Sequence, residues 1–471
     1  MNKLIILVLS SLFVLTGCSQ KSVTQPTSST SYSTSELSTD SITYGPVSPD
    51  YKIEADYDED RHQLNTHLQV AFENNVEDQL EDLYFNLWPN ADEFEEGSID
   101  IQTVHVNGEE VSFTIEDTVL SLSGFLLKHD EMTTIEMDFN VQIPELQHRF
   151  GWSERQVSLG NWFPILAVYD AHEWNTHPYY ADGESFYSIT GDYDVTFTVP
   201  DGLEVAATGE RKSVSHTKDG LTYKFSAKQV RDFAAVFNTG FKSLQDRIQG
   251  TDMIVLFLPG EENQAQLMLE AAQKTMPLYN EKYGEYPWNT LTIVSTDYGQ
   301  TFDGGMEYPQ LVTINTPTLS DEEELGLTVA HEIAHQWFYS LVGNDQYREP
   351  WLDESLTTFA SYAAYYETTD FDWIEEEELE DTITSPVSAF QEDTSDRYGN
   401  TMYDGGAQML SELHDLLGEN VFFKGMRTYV DEMQFGIATT ADFIRIMQQV
   451  SEENLKPFFT EHGVYLQETI Q

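Results

Sequence analysis

From residue 44 to about residue 241, large apolar side chains recur at every second position, the period of a strand with one buried face. The clearest runs are His67 to Phe72, Leu83-Phe85-Leu87, Ile135-Met137-Phe139-Val141-Ile143, Val195-Phe197-Val199 and Tyr223-Phe225. Asn107-Gly108, Asp182-Gly183, Asp201-Gly202 and Asp219-Gly220 fall between such runs and mark tight turns. No long helical pattern interrupts them and no repeat period is visible. The stretch therefore predicts an antiparallel, sandwich-like β domain over residues 44–245.

Beyond about Gly250 the period changes. Met253 to Leu258, Leu291 to Val294 and Leu311-Val312-Thr313-Ile314 predict short buried strands. Asn263 to Tyr283 predicts a helix that Pro277 should kink and Gly284 should end. Helices dominate thereafter. Ser320 with Glu323 predicts a capping box, and Asp321 to Glu324 place four carboxylates at the positive end of the helix dipole. Leu325, Val329, Ile333 and Trp337 recur at i+4 as one apolar stripe, which Gly343 is expected to stop. Another helix should begin near Pro350, with Leu356, Phe359, Ala360 and Ala363 on its packing face. The expected fold class is multidomain α+β, with a mixed α/β domain over residues 246–471.

The helix from Ser320 carries His331-Glu332-Ile333-Ala334-His335. Positions i and i+4 share one helix face about 6 Å apart, so both imidazoles can reach a single ion. Glu354, in the first turn of the following helix, can bend back as a third ligand. Two His and one carboxylate leave a coordination position open, which suits catalytic zinc, one ion per chain, better than a closed structural site. His172-Glu173 and His177 imitate this pattern superficially, but five-residue spacing beside Pro178 describes a loop. The aromatic loop from Trp162 to Tyr180 is expected to wall the cleft instead.

Charge and cysteine content narrow the setting. Asp and Glu total 81 against 23 Lys and Arg, a net charge of -58, which argues against binding nucleic acid or an anionic membrane surface through charge. A heavily solvated acidic surface on a protein working outside the cell accounts for it, and favours the approach of cationic peptides. Cys18 is the sole cysteine, so neither an intramolecular disulfide nor a Cys-ligated metal is possible. Lys3 precedes an apolar run over residues 4–15 that is too short to span a bilayer, and Thr16-Gly17 are small. Leu15-Thr16-Gly17-Cys18 resembles a bacterial lipobox. That implies a lipoprotein signal peptide over residues 1–17, lipid attachment at Cys18, and an extracytoplasmic enzyme anchored to the cell membrane. The Ser- and Thr-rich stretch 18–43 reads as a flexible stalk.

The zinc motif is preceded by Gly304-Gly305-Met306-Glu307-Tyr308 and followed by Tyr403-Asp404-Gly405-Gly406-Ala407. Together with His331, Glu332, His335 and Glu354, these resemble the aminopeptidase N family of zinc gluzincins (clan MA). The likeness covers nearly all of the chain after the stalk. It implies that residues 246–471 form a thermolysin-like catalytic domain and that peptides with a free N-terminus are the substrates. It further implies that His331, His335 and Glu354 hold zinc, and that Glu332 serves as general base and then acid on the zinc-activated water. Tyr403 would donate to the oxyanion of the tetrahedral intermediate. Gly304, Gly305, Met306 and Glu307 would bind substrate, the glycines allowing close backbone approach and Glu307 pairing with the α-amino group.

This sequence departs from the family pattern at Tyr308, where many relatives have Asn, so the pocket for the first side chain is expected to differ. Asp404-Gly405-Gly406 lacks a basic residue that many members carry. The chain also stops soon after residues 439–471, which resemble the end of the catalytic domain, implying a form without the large C-terminal helical domain. A thermolysin-like endopeptidase shares the ligands and base, and a non-catalytic surface peptide-binding protein on the same scaffold is the reading from another class. Nothing in the sequence assigns an oligomeric state.

Overall fold

Alternating burial along residues 44–241 builds sheets. The computed structural model describes residues 44–466 except 172, 182, 185, 301, 303, 372, 373, 375–380 and 392–396. Cys18, the signal-like stretch 1–17 and the stalk 18–43 lie outside the described residues, as does His172. The largest sheet has eight strands, in the order Glu210–Thr217, Gly220–Val230, Gly191–Val199, Val47–Asp58, Gln63–Asn74, Glu131–Gln142, Ser98–Val106 and Glu109–Glu110. Ile53, Leu68, Val70, Ile135, Met137, Phe139, Val195 and Phe197 turn inward from it and are buried. Two four-stranded sheets, built around Leu80–Asn86 and Ala235–Asn238, accompany it.

One pairing in the large sheet is not antiparallel as expected. Val47–Asp58 runs parallel to Gly191–Val199, with Ile53 opposite Val195. A parallel pair requires a crossover, which the intervening chain supplies by running through the two smaller sheets before returning.

A five-stranded mixed sheet follows, in the order Lys242–Ile248, Thr251–Phe257, Thr290–Thr296, Leu311–Asn315 and Gly305–Met306. The chain passes from the β region into this sheet between Asn238 and Lys242. Helix α1 (Glu262–Tyr283) includes Pro277 and ends at Gly284, whose φ of 125° favours glycine. The remaining helices are α2 (Glu322–Ala334), α3 (Trp351–Tyr366), α4 (Gly406–Leu417), α5 (Glu419–Met433), α6 (Thr440–Ser451) and α7 (Lys456–Glu461). A seven-residue π-helix, Gly399–Gly405, leads directly into α4.

Helix α2 differs from expectation at both ends. Its N-cap is Asp321, not Ser320: the Asp321 carboxylate accepts from the backbone N–H groups of Glu323 and Glu324 at 2.9 and 3.2 Å. A carboxylate at the positive helix end caps and complements the dipole at once. At the other end the helix stops at Ala334, nine residues before Gly343. The chain then folds back through turns closed by Ser340 N–H to the His335 carbonyl (2.9 Å) and Val342 N–H to the Trp337 carbonyl (3.0 Å). Trp337 stays on the apolar stripe in burial but not in helix, its indole N–H donating to the Gly284 carbonyl at 2.9 Å.

Gly343 has a different task. Arg231, at the end of a β-domain strand, is 1% exposed and donates to the backbone carbonyls of Tyr339, Ser188 and Gly436. It thereby joins the β domain to the turns after α2 and to the chain after α5. Burial holds its pKa down at about 10, and the carbonyls satisfy the guanidinium in place of an acid. A Cβ on residue 343 would lie 2.2 Å from the Arg231 Cζ. Gly343→Ala is accordingly expected to destabilise the protein by about 1–3 kcal/mol, the cost of overpacking a rigid core. Gly399→Ala meets nothing within 4 Å and serves as the control. Thermal unfolding of the two variants should show a lowered midpoint only for the first.

Candidate active site

Helices α2 and α3 pack with their functional ends together. The i, i+4 spacing on α2 brings His331 Nε2 and His335 Nε2 within 3.0 Å. Glu354, in the first turn of α3, places Oε2 3.3 Å from the first and 3.5 Å from the second. These separations fit the edges of a tetrahedron with metal–ligand bonds of about 2.0–2.1 Å, which are roughly 3.3 Å. Glu354 Oε2 is buried and accepts no hydrogen bond. A buried carboxylate oxygen left unsatisfied beside two ring nitrogens is costly unless a cation shares them, so the donor set fits a divalent metal. Burial alone would raise the Glu354 pKa, but the two imidazoles hold it far below the usual carboxylate range.

The orientation of His335 is set from behind. Its Nδ1–H donates to Asp353 Oδ1 at 2.7 Å, which turns Nε2 toward His331 and Glu354. Asp353 is 1% exposed, and its second oxygen accepts from the Gln346 amide. Thr357 Oγ1 lies 3.1 Å from the same ring nitrogen. Burial opposes charge on His335, yet Asp353 and Glu354 outweigh it and keep the imidazole well above its ordinary value; burial keeps His331 below.

Glu332, between the two histidines in sequence, points to the edge strand. Its Oε2 is buried without a hydrogen-bond partner, and burial pushes its pKa up to about 8. A carboxyl poised there exchanges a proton near neutral pH. Gly305 makes room for it: a Cβ at that position would lie 2.8 Å from the Glu332 Cγ and 2.2 Å from the Thr313 carbonyl oxygen. Gly305 therefore admits the Glu332 side chain beside the edge strand. Gly304 has open space beside it and a φ of 107°.

Met306 pairs with Thr313 in the sheet and is buried; Glu307 follows just beyond the ladder. The Glu307 carboxylate is 4% exposed, its Oε1 has no partner, and burial together with Glu184 raises its pKa well above the ordinary value. Tyr308 turns the other way. It is 2% exposed within the β-domain core, and only a glycine at 160 fits beneath its hydroxyl, since a Cβ there would lie 2.1 Å away. The residue that departs from the family pattern thus anchors the edge strand to the β domain.

Tyr403 sits in the π-helix, its ring 5.7 Å from that of His331 at an interplanar angle of 24°, and burial with the nearby Glu354 carboxylate raises its pKa well above the ordinary value. The π-helix is docked on α3, where Ser355 Oγ donates to the Met402 carbonyl at 2.6 Å. Gly406 is required for this approach, because a Cβ would lie 1.8 Å from Ser355 Oγ.

Residues that the sequence did not single out complete the site. Arg149 Nη1 donates to Glu184 at 2.7 Å, both largely buried, and burial pushes Glu184 up to about 7 despite that pairing. The Tyr398 hydroxyl is buried without a partner, its ring 6.1 Å from Tyr403. Asp353 and Gln336 carried a faint signal, each a polar residue inside an apolar helical run beside a ligand. Arg149 and Glu184 carried none. Within the expected cleft wall, Tyr179 packs on Phe94 at 5.2 Å and Asn175 Oδ1 accepts from Arg348 at 2.5 Å, tying that stretch to the approach to α3. His177 packs on Tyr347, 4.6 Å between ring centroids.

Comparison with known proteins meets this geometry. Residues 267–462 match the Peptidase family M1 domain. A probable aminopeptidase 2 of Sulfurisphaera tokodaii is 28% identical over 252 residues, 47% of this chain and 32% of the relative. A probable aminopeptidase 1 of Saccharolobus solfataricus is 22% identical over 410 residues, 79% of this chain and 49% of the relative. The tricorn protease-interacting factor F2 of Thermoplasma acidophilum is 26% identical over 391 residues, covering 76% and 47% respectively. The chain spans about half or less of the length of these curated relatives. The mixed α+β fold and the metal-competent ligand cluster thus occur in a chain whose residues 267–462 match the Peptidase family M1 domain and which is similar to these aminopeptidases.

Proposed function

We propose that the protein is a zinc-dependent aminopeptidase that removes N-terminal residues from peptides. The observation that carries this reading is Glu307: a buried carboxylate, unpartnered at Oε1, just past the edge strand Gly305–Met306 that packs against the helix of His331 and His335. Burying such a group is unfavourable unless a cation meets it, and the α-ammonium of a peptide is a cation of the right kind. A peptide whose first residue is held there presents its first peptide bond to the ligand cluster, which restricts cleavage to the N-terminal residue.

His331, His335 and Glu354 would hold the zinc. When bound, it would lower the pKa of a water and polarise the scissile carbonyl. Glu332 accepts the proton of the attacking water and returns it to the leaving amine; its raised pKa suits both directions of transfer. Tyr403, which keeps its proton because burial and Glu354 raise its pKa well above the ordinary value, is a hydrogen-bond donor for the oxyanion. We further propose, from the apolar run before Cys18 and the lipobox-like Leu15-Thr16-Gly17-Cys18, that a lipid on Cys18 tethers the enzyme outside the cell membrane. Among the described residues no helix is long and apolar enough to cross a membrane.

Steady-state kinetics on an amino-acid p-nitroanilide and its N-acetylated form test the exopeptidase reading: the free amine should be strongly preferred, and preference for the blocked form would point to an endopeptidase. Glu332→Gln should lower kcat by about 10²–10⁴-fold with bound metal retained. Undiminished turnover would remove Glu332 from the chemistry. Asp353→Asn should weaken zinc retention about 10–100-fold in a chelator competition read by metal release, while the fold is kept.

A further inference from the structure

The metal ligands and Glu307 stand on separate elements, and one side chain spans the gap. Gln336 follows His335 directly and is fully buried. Its Nε2 donates to the carbonyls of Glu307 and Tyr308, each at 3.2 Å, and its Oε1 accepts from the Gln310 backbone N–H at 2.8 Å. Its own backbone N–H is tied to the end of α2, donating to the Ile333 carbonyl at 3.0 Å.

The segment it grips is held elsewhere by the buried Tyr308 ring and by Thr292 N–H on the Gln310 carbonyl at 3.0 Å, but the sheet ladder stops short of Glu307. The edge strand pairs through two residues only, Gly305 with Ile314 and Met306 with Thr313, so Glu307 lies past the last rung. The chain then reverses through a turn with Leu311 N–H on the Tyr308 carbonyl at 2.9 Å, and Gln310 adopts a left-handed φ of 61° that a non-glycine residue resists. Gln336 binds this turn at the carbonyl of Glu307, at that of Tyr308, and at the amide of Gln310. A primary amide alone among similar-sized side chains offers two N–H donors and one acceptor in one plane.

We infer that Gln336 is a positioning residue that fixes the separation between the metal ligands and the Glu307 carboxylate, and so sets the register in which only the first peptide bond reaches the metal. This rests on Glu307 being the ammonium anchor. Met at this position keeps the volume and loses all three hydrogen bonds; Glu keeps the acceptor for Gln310 and loses both donors.

The test measures, on the zinc-loaded full chain, inhibition constants for an amino-acid hydroxamate and for its N-acetylated form. Both forms chelate the metal and only the first carries the ammonium, so their ratio reads the anchor. Gln336→Met and Gln336→Glu should each lower that ratio by about tenfold, while metal stoichiometry and the constant for the acetylated form stay at parent values. In turnover of the p-nitroanilide, the loss should appear in KM more than in kcat. An unchanged ratio would overturn the inference. So would equal weakening of both hydroxamates, which would place the role of Gln336 in the metal helix, or failure of both variants to fold, which would make it a core residue only. Glu307→Gln is the separate check: if it leaves the ratio unchanged, the anchor reading itself fails, whereas a collapsed ratio there with parent-like Gln336 variants fails the positioning role alone.

Discussion

The site is governed by negative charge brought out of water. Glu184, Glu307, Glu332 and Asp353 are buried close enough to other carboxylates of the site, Glu354 among them, for these to raise the proton affinity of each. Like charges in a low-dielectric interior repel strongly, and such a cluster persists only if protons or cations enter it. Arg149 meets Glu184, and His335 meets Asp353 and Glu354. The remaining demand is met on the proposed reading by a metal at one end and a substrate ammonium at the other. Affinity for cations is thus a property of the whole cleft.

That electrostatic design needs a rigid frame, and the frame is made of close approaches. Gly305 lets Glu332 lie against the edge strand, Gly406 lets the π-helix reach α3, Gly160 receives Tyr308, and Gly343 receives Arg231. Each is a point where two elements meet at less than a methyl group's distance. The β domain takes part directly, since Tyr308 and Arg231 bind it to the edge strand and to the turns after α2.

Much of this was legible in the sequence because it rests on local periodicity. Strand alternation, the extent of α1, the start of α3, and the His331, His335 and Glu354 cluster follow from repeats of two and of four residues and from the start of a helix at Pro350. Features that depend on tertiary contact were not legible. Ser320 and Asp321 are both capping residue types, and only the backbone path selects the second. Gly343 was read as a helix stop because glycine usually punctuates, but the packing of Arg231 against it is invisible locally. Arg149 and Glu184 are separated by a stretch of short strands and loops with no period to align them, so their ion pair left no trace in the pattern.

The π-helix that carries Tyr403 has an implication for how this face of the site tolerates change. A π-turn accommodates one residue more than an α-turn, and here seven residues, Gly399–Gly405, use that extra length just before α4. Side-chain replacement within it alters a surface; loss of one residue alters the phase. Shortening the segment by a single position would let it relax to α-helix and swing the residues on its far side by about 100° around the axis, carrying the phenol from the face of His331 into another quadrant. The segment should thus be far more sensitive to insertions and deletions than to substitutions.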